Sequence, residues 1–507
     1  MPDFYCIVLS VTLLLDHKSF FCKIFFMKIF QNQPYFYKSV FKLALPIALQ
    51  SLISIGVNML DTIMVGKLGE TALSATSLAN SFITIYHIFC MGLGMGASVL
   101  VSRYWGMKKV ALENISNANC DLSKENKALE DASRALKQTI TLMLRITVIL
   151  AAVFALLTMF VPEIIMKTYT SDKAIIAEGS VYFKYSGAYT ISEYKRSLVT
   201  TIVLRSVGQA KLPLFVSIGA FFVNVIANYA FIFGKLGAPA MGVAGAAFAT
   251  LIARIFETAI ILGYLFIKDK RINYKIRDIF MKTKSLVAEY VKISIPVLIS
   301  DAILAFGTNA IAMVIGRLGA AFVAANAITG VTQQLSTVVV QGVSQAGAIV
   351  TGQTLGTGDK KKTMNQGWMF LGVGFALGAI SAIFIMIISN PIINSYNVGA
   401  ETVQIAKELM LALSVNIIFR ATNSIMTKGV LRGGGDTKML MLADNVFSWV
   451  LALPLGILAS FVFKFSPFWI YTCLKSDEIA KTFWCVYRLK SEKWIKKIST
   501  GSGVSAK

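Results

Sequence analysis

Charge is what this chain has least of. Only 15% of its 507 residues are Asp, Glu, Lys or Arg, where a water-soluble globular protein carries about a quarter. Acids are scarcer still, 26 against 49 bases, for a formal net charge of +23. The two histidines, His17 and His87, are too few for a histidine-rich metal centre, and no paired metal motif accompanies them. The six cysteines (Cys6, Cys22, Cys90, Cys120, Cys473 and Cys485) have no CxxC or metal spacing. They read as small apolar residues or free thiols, not a disulfide frame. Strand-like alternation over about ten residues, the mark of a membrane barrel, is missing as well. The stretch Arg432-Gly433-Gly434-Gly435-Asp436-Thr437-Lys438 looks like a phosphate loop but lacks the GxxxxGK[ST] spacing. It reads instead as a helix end followed by an N-cap at Asp436 or Thr437. Neither an enzyme nor a cofactor is expected.

What the chain does have is long apolar runs. It is 56% hydrophobic with a mean hydropathy of +0.67. Runs of about 18 or more apolar residues recur, enough for a helix to cross a ~30 Å hydrocarbon layer. Spans are expected at 43–65, 77–102, 139–161, 180–204, 213–233, 241–266, 288–315, 322–350, 367–389, 403–430, 440–462 and 467–488. The reading is an all-α polytopic membrane protein with twelve transmembrane helices.

The chain also repeats itself. Pro46, Ile53, Gly66, Leu68, Gly69, Ala75, Gly92 and Gly106 fall on Pro296, Ile303, Gly316, Leu318, Gly319, Ala325, Gly342 and Gly356, always 250 residues on. Leu204–Lys211 falls on Leu431–Lys438 at a spacing of 227. A charged insert, roughly Ala111 to Lys137, has no partner in the second half and accounts for the change. Six spans per half leave both halves in the same orientation. The two six-helix lobes should relate by a pseudo-twofold axis along the membrane normal, as in transporters built from parallel repeats.

Loop charge orients the array. Lys108 and Lys109, the bases from Lys268 to Lys284, Lys360–Lys362 and Lys490–Lys497 all fall on one side, while 234–241 and 390–400 are nearly free of Lys and Arg. This is a positive-inside distribution, so the excess of base does not point to nucleic acid. Both termini are expected in the cytoplasm, with the protein multi-pass in the plasma (inner) membrane and surrounded by membrane lipid. The expected organisation is an N-terminal extension (1–37), a first lobe (38–266) with a cytoplasmic insert (111–137), a basic cytoplasmic linker (267–287), a second lobe (288–488) and a basic cytoplasmic tail (489–507). Tyr5–Leu15 is too short to span and lacks signal-peptide flanks. Met27 is an alternative start.

Few polar residues interrupt the spans. Asp61 lies about 7 Å below the outer end of span one, at 1.5 Å per residue. It is either a cation ligand or proton carrier facing a wet cavity, or an interfacial acid that reaches solvent. Asn224 and Asn228 share a face of span five at i and i+4. They suit an oxygen cage for a hard cation, or hydrogen bonding between helices. Asp301 in span seven is a candidate for attracting a cationic substrate. Glu193, Lys195 and Arg196 crowd the middle of span four, and Glu193 falls on Arg420 of span ten at the 227 spacing. Glu193 and Arg420 are cavity candidates, with mutual neutralisation of Glu193 and Arg196 as the other reading. Glu257 and Asp444 carry no assignable role.

Several of these residues stand in motifs. Leu45-Pro46-Ile47…Gln50, Asp61-Thr62-Ile63-Met64-Val65-Gly66, Ser294-Ile295-Pro296-Val297, Ile315–Gly319, Leu204–Gly208 and Leu431–Thr437 together resemble the multidrug and toxic compound extrusion (MATE) family. The resemblance covers about residues 38 to 498. It implies two six-helix lobes around a central cavity and export of small organic cations in exchange for sodium ions or protons. It also implies that the Asn224/Asn228 face approaches Asp61, with Thr250 of span six nearby, and that sodium is a candidate ion at Asp61. Gln50 becomes a cavity candidate. Asn228 stands where some members have Asp, and span ten has no acid from Leu409 to Val430, so a second-lobe cation site using an acid on span ten is not expected. A monomer is expected. A flippase for lipid-linked oligosaccharides or related amphiphiles is the alternative. Its cavity should be more cationic, as Arg196 and Arg420 hint.

Overall fold

A chain in hydrocarbon must satisfy its backbone N–H and C=O groups internally, and every described span is helical. The computed structural model describes residues 34–116, 121–192, 194–396 and 398–496, and the side chains of all but 186–197. Tyr5–Leu15, Met27 and the side chains of Glu193, Lys195 and Arg196 therefore lie outside the described residues.

Among the described residues, twelve helical passes follow in order. In the first lobe they are α1 (Pro34–Gly66), α2 (Glu70–Ser116), α3 (Leu122–Phe160), α4 (Lys173–Ser192 continuing as Tyr194–Ser206), α5 (Lys211–Phe233) and α6 (Val243–Gly263, ending in a wide turn Tyr264–Lys268). In the second they are α7 (Lys284–Gly316), α8 (Ala320–Gly356), α9 (Lys360–Ser395), α10 (Ala400–Ser424, widened over Ile425–Leu431), α11 (Thr437–Asn445, running on to Val462) and α12 (Pro467–Leu474 then Ser476–Lys490). Ten of these are individually long and apolar enough to cross a membrane. Of the other two, α12 is interrupted by a turn at Lys475 and α4 is described in two stretches, on either side of residue 193. Several helices outrun the apolar spans, chiefly at the basic end, because polar segments continue the helix into water. Thus α2 reaches Ser116 and α3 begins at Leu122 with Asp121 capping it.

The sequence repeat is a physical symmetry. A Cβ on Gly92 of α2 would stand 2.9 Å from the Cα of Leu298 in α7, and one on Gly342 of α8 would stand 2.8 Å from the Cβ of Ala48 in α1. Leu298 and Ala48 are 250 apart, as are Gly92 and Gly342. The contact between α2 and α8 maps onto itself. A Cβ on Gly106 would run into the carbonyl of Gln353, and one on Gly356 into the carbonyl of Arg103, residues again 250 apart. The pseudo-twofold axis therefore passes between α2 and α8 here. The 227 spacing is equally real: Gly208 (φ 83°) and Gly435 (φ 88°) turn α4 into α5 and α10 into α11, with a backbone conformation that favours glycine.

These contacts share one end of the molecule, the end with Lys108, Lys109 and the linker. Gln353 Nε2 donates to the Ser206 carbonyl at 2.7 Å, Arg103 to the Lys496 carbonyl at 2.8 Å and Tyr290 to the Leu93 carbonyl at 3.0 Å. Towards the opposite end, Ser77, Thr84 and Ile85 of α2 and Ala327, Gln334 and Leu335 of α8 are exposed. The lobes are closed together at the basic end and splayed at the other.

The linker is strapped to the first lobe. Arg145 of α3 donates to the carbonyls of Ile279 (2.6 Å) and Met281 (3.0 Å), and Gln138 to that of Lys282 (2.8 Å). Partial burial opposes ionisation of Asp278. The Lys137 ammonium at 2.8 Å and the Lys275 N–H outweigh it and hold the carboxyl below its ordinary value.

The seam yields a direct test. Gly106→Ala and Gly356→Ala should each destabilise the closed basic end by about 1–3 kcal/mol, the usual range for overpacking. Gly66→Ala and Gly316→Ala, with nothing within 4 Å of the added carbon, should be silent. Thermal melting of the four purified variants in detergent checks this, and equal melting temperatures throughout would refute the close approach.

Candidate functional site

A cavity of about 400 Å³ lies between the lobes. First-lobe helices α1, α2, α4, α5 and α6 form most of its wall, and α8 supplies the rest through Gln334, Gln341 and Gln345. Its floor is polar. Arg205 of α4 donates to Gln345 Oε1 across the lobes at 2.6 Å and to Gln50 Oε1 of α1. Gln50 in turn donates to Ser217 of α5 at 2.7 Å. Gln50 is thus a cavity residue, as expected, and it also helps tie α1, α4 and α5 together.

Asn224 lines this cavity and leads to Asp61. Asn228 Nδ2 donates to Asp61 Oδ1 at 2.5 Å and to Asn224 Oδ1 at 3.1 Å. Both asparagines are buried, whereas Asp61 is half-buried. The Asn228 Oδ1 atom is buried without a hydrogen-bond partner, an acceptor able to ligate a cation. The helical i, i+4 spacing puts the two amides on one face of α5, and α1 packs its outer half against that face. Thr250 of α6 is half-buried, with no hydrogen bond to this cluster among the described residues. The group α6 contributes instead is Arg254, which holds Glu257 at 2.7 Å and lies within electrostatic reach of Asp61. Tyr182 of α4, donating to Asn80 at 3.3 Å, also lies within reach. Sequence reasoning missed Arg254, although its i, i+3 spacing to Glu257 in an apolar span was the available signal. It also missed the α8 glutamines, spaced seven and four residues apart on one helix face.

The acids of the second lobe are differently placed. Asp301, expected to face substrate, is paired with Arg432 of α10 at 3.2 Å. Arg432 is the repeat mate of Arg205, so both lobes aim the same guanidinium at the first helix of the repeat. One meets an amide, the other a carboxylate. Arg420 does not line the central cavity. It pairs with Glu478 of α12 at 3.4 Å, inside the second lobe. Lys481 bridges Asp444 at 3.2 Å and Asp477 at 3.0 Å, and Ser300 donates to Asp444. Asp436 does not cap α11 with its side chain. Its buried carboxylate is taken by Arg488 at 2.6 and 3.0 Å, a stronger partner than a backbone N–H. Among the described residues, Glu257, Asp301, Asp444, Asp477 and Glu478 each have a base within 4 Å. Asp61 has no base within 4 Å among the described residues and meets one amide, that of Asn228. No cluster of three or more His, Cys, Asp or Glu side chains suited to a metal occurs among the described residues.

Comparison with known proteins agrees with this architecture. The MatE family model matches residues 46–115, 130–230 and 296–458. The chain is 24% identical over 477 residues to a probable multidrug resistance protein NorM of Thermotoga maritima, covering 92% of this chain and 95% of that one. It is 26% identical over 422 residues to the multidrug resistance protein NorM of Burkholderia vietnamiensis, covering 82% and 85%. Among solved structures, a mutant of the Vibrio cholerae MATE transporter VcmN superposes with a TM-score of 0.79 at 17% identity, covering 91% and 98%. An outward-facing multidrug resistance MATE transporter of the MOP superfamily gives 0.76 at 17% identity, covering 90% and 96%.

The pairing of Asp301 separates a structural acid from a substrate-facing one. Arg432→Met strands a largely buried carboxylate and should cost up to about 3 kcal/mol, with Asp301→Asn restoring most of the loss in the double variant. Thermal melting of the two singles and the double checks it. Additive losses would mean that the two side chains do not depend on each other.

Proposed function

The chain belongs to the MATE family of multidrug and toxic compound extrusion transporters, and from that premise we propose that it is an antiporter exporting small amphiphilic organic cations against an inward flow of sodium ions or protons taken up at Asp61. The observation that carries the reading is the imbalance among buried acids. Every acid named in the second lobe has a base within 4 Å, but Asp61 has none so close among the described residues, and its one hydrogen-bond partner is Asn228. An ionised carboxylate at this depth is costly without a compensating cation, and a mobile cation from outside supplies one.

The local chemistry allows two states. With the Asn228 amide donating, Asp61 is satisfied without an ion. Turned by half, the same amide presents its unpartnered Oδ1 beside the carboxylate, and Asn224 Oδ1 adds a third oxygen. Oxygen donors of this kind suit a hard cation, and a proton needs only the carboxylate. With both termini in the cytoplasm, the closed basic end is the cytoplasmic one, and Asp61 stands in the outer, splayed half where an ion loads from outside. The lobes then rock about the α2–α8 seam to expose the cavity inward.

The cavity wall mixes apolar side chains such as Phe221 and Ile202 with serine, asparagine and glutamine, a lining that tolerates varied amphiphiles. The two guanidiniums that line it among the described residues are both committed, Arg205 to amides and Arg254 to Glu257. Neither is free to hold a pyrophosphate, which favours efflux over the flippase reading.

Asp61→Asn is isosteric but cannot cycle a charge. It should abolish ion-driven efflux of a fluorescent organic cation from vesicles while leaving the melting temperature close to that of the wild type. Running the assay with a sodium gradient and then a proton gradient identifies the coupling ion. Wild-type efflux from Asp61→Asn would move the site elsewhere.

A further inference from the structure

A second cavity lies apart from the central one. It lies at the basic end and has a volume of about 850 Å³. Five basic side chains line it: Lys38 and Lys42 of α1, Lys109 of α2, Lys211 at the start of α5 and Arg271 of the linker. No acid does. The nearby Asp269 carboxylate is consumed within the linker, accepting from Gln209 Nε2 (2.8 Å) and from the backbone N–H groups of Arg271 (3.3 Å) and Ile272 (2.9 Å). Lys38, Lys42 and Lys211 have no acidic partner within 4 Å among the described residues. Five like charges around one concavity repel each other unless an anion joins them.

The depth of the cavity says where that anion comes from. Tyr35 lines it together with the buried Trp105, and Tyr35 and neighbouring Tyr37 are exposed, as aromatic side chains are at headgroup level. Below them on α1, Phe41, Leu45, Leu49 and Leu52 are all exposed. Their spacing of four, four and three residues makes one apolar stripe running from the cavity into the hydrocarbon layer. A basic pocket above an apolar stripe is complementary to a phosphate group with acyl chains attached.

We propose that this cavity binds the phosphate of an anionic phospholipid, with Lys38, Lys42, Lys109, Lys211 and Arg271 around the headgroup and the acyl chains along the α1 stripe. The site needs only that the chain sits in a membrane, so it stands or falls apart from the transport reading. It also spans the lobes. Gln353 of α8 closes one wall and accepts from Lys109 at 3.4 Å, while the other lining residues belong to the first lobe and the linker. The pocket is whole only while the basic end is closed, so the lipid favours that state over the inward-open one.

Native mass spectrometry of the full-length protein in a non-ionic detergent tests this, with phosphatidylglycerol, phosphatidylcholine or inorganic phosphate added. Wild-type protein should retain phosphatidylglycerol at least about tenfold more tightly than phosphatidylcholine. The double variant Lys38→Gln/Lys42→Gln, altering two exposed side chains, should lose about tenfold in phosphatidylglycerol retention at an unchanged melting temperature. Lys360→Gln/Lys361→Gln removes the same charge from the start of α9, outside the cavity, and should leave retention unchanged. An equal loss in both double variants would show a diffuse surface field and overturn the site, as would no loss in either. Inorganic phosphate protecting the wild type against heat as well as the lipid does would overturn the lipid as its source.

Discussion

A carboxylate moved from water into a helix bundle must find a base, a donor or a wet path, since the alternative costs several kcal/mol. That constraint arranges much of this protein. In the second lobe it draws α7 to α10 through Asp301 and Arg432, and α10 to α12 through Arg420 and Glu478. It also draws α11 to α12 through the two acids on Lys481. These ties make the second lobe a cross-braced unit. The first lobe has its own brace in Arg254 and Glu257, but it leaves Asp61 to a single amide. The acids Asp301, Asp444, Asp477 and Glu478 of the second lobe each meet a base, whereas Asp61 of the first meets an amide.

Much of the architecture was legible in the chain. The 250-residue repeat predicted that the halves would be related by rotation, and the seam shows it atom by atom in the pairs Gly92–Leu298 and Gly342–Ala48. Asn224 and Asn228 could be placed on one face because helical spacing alone decides that. The partners of Asp301, Arg420 and Asp436 could not be read in the same way. They lie 131, 58 and 52 residues away, and which side chains meet across helices depends on the rotation of each helix about its axis, which packing decides. Thr250 illustrates the same limit. Arg254, one turn further along α6, is the residue that reaches towards Asp61.

The two arginines at the 227 spacing show how a duplicated frame acquires different chemistry. Arg205 and Arg432 occupy equivalent positions beside the first helix of their repeats. Arg205 bridges to the opposite lobe through Gln345, whereas Arg432 is held inside its own lobe by Asp301. The interlobe polar link above the seam is therefore one-sided, although the backbone around it is nearly symmetric.

The solitary state of Asp61 also bears on energetics. On the proposed reading, in which Asp61 takes up one cation per turnover, a cycle moves a single elementary charge inward. For a neutral cargo, 100 mV then contributes about 2.3 kcal/mol, sustaining roughly a fiftyfold concentration ratio. For a cargo bearing one positive charge, the outward step cancels the inward one and the exchange is electroneutral. The membrane voltage then does no work, and the steepest gradient the cell can hold against such a compound equals the concentration ratio of the coupling ion itself.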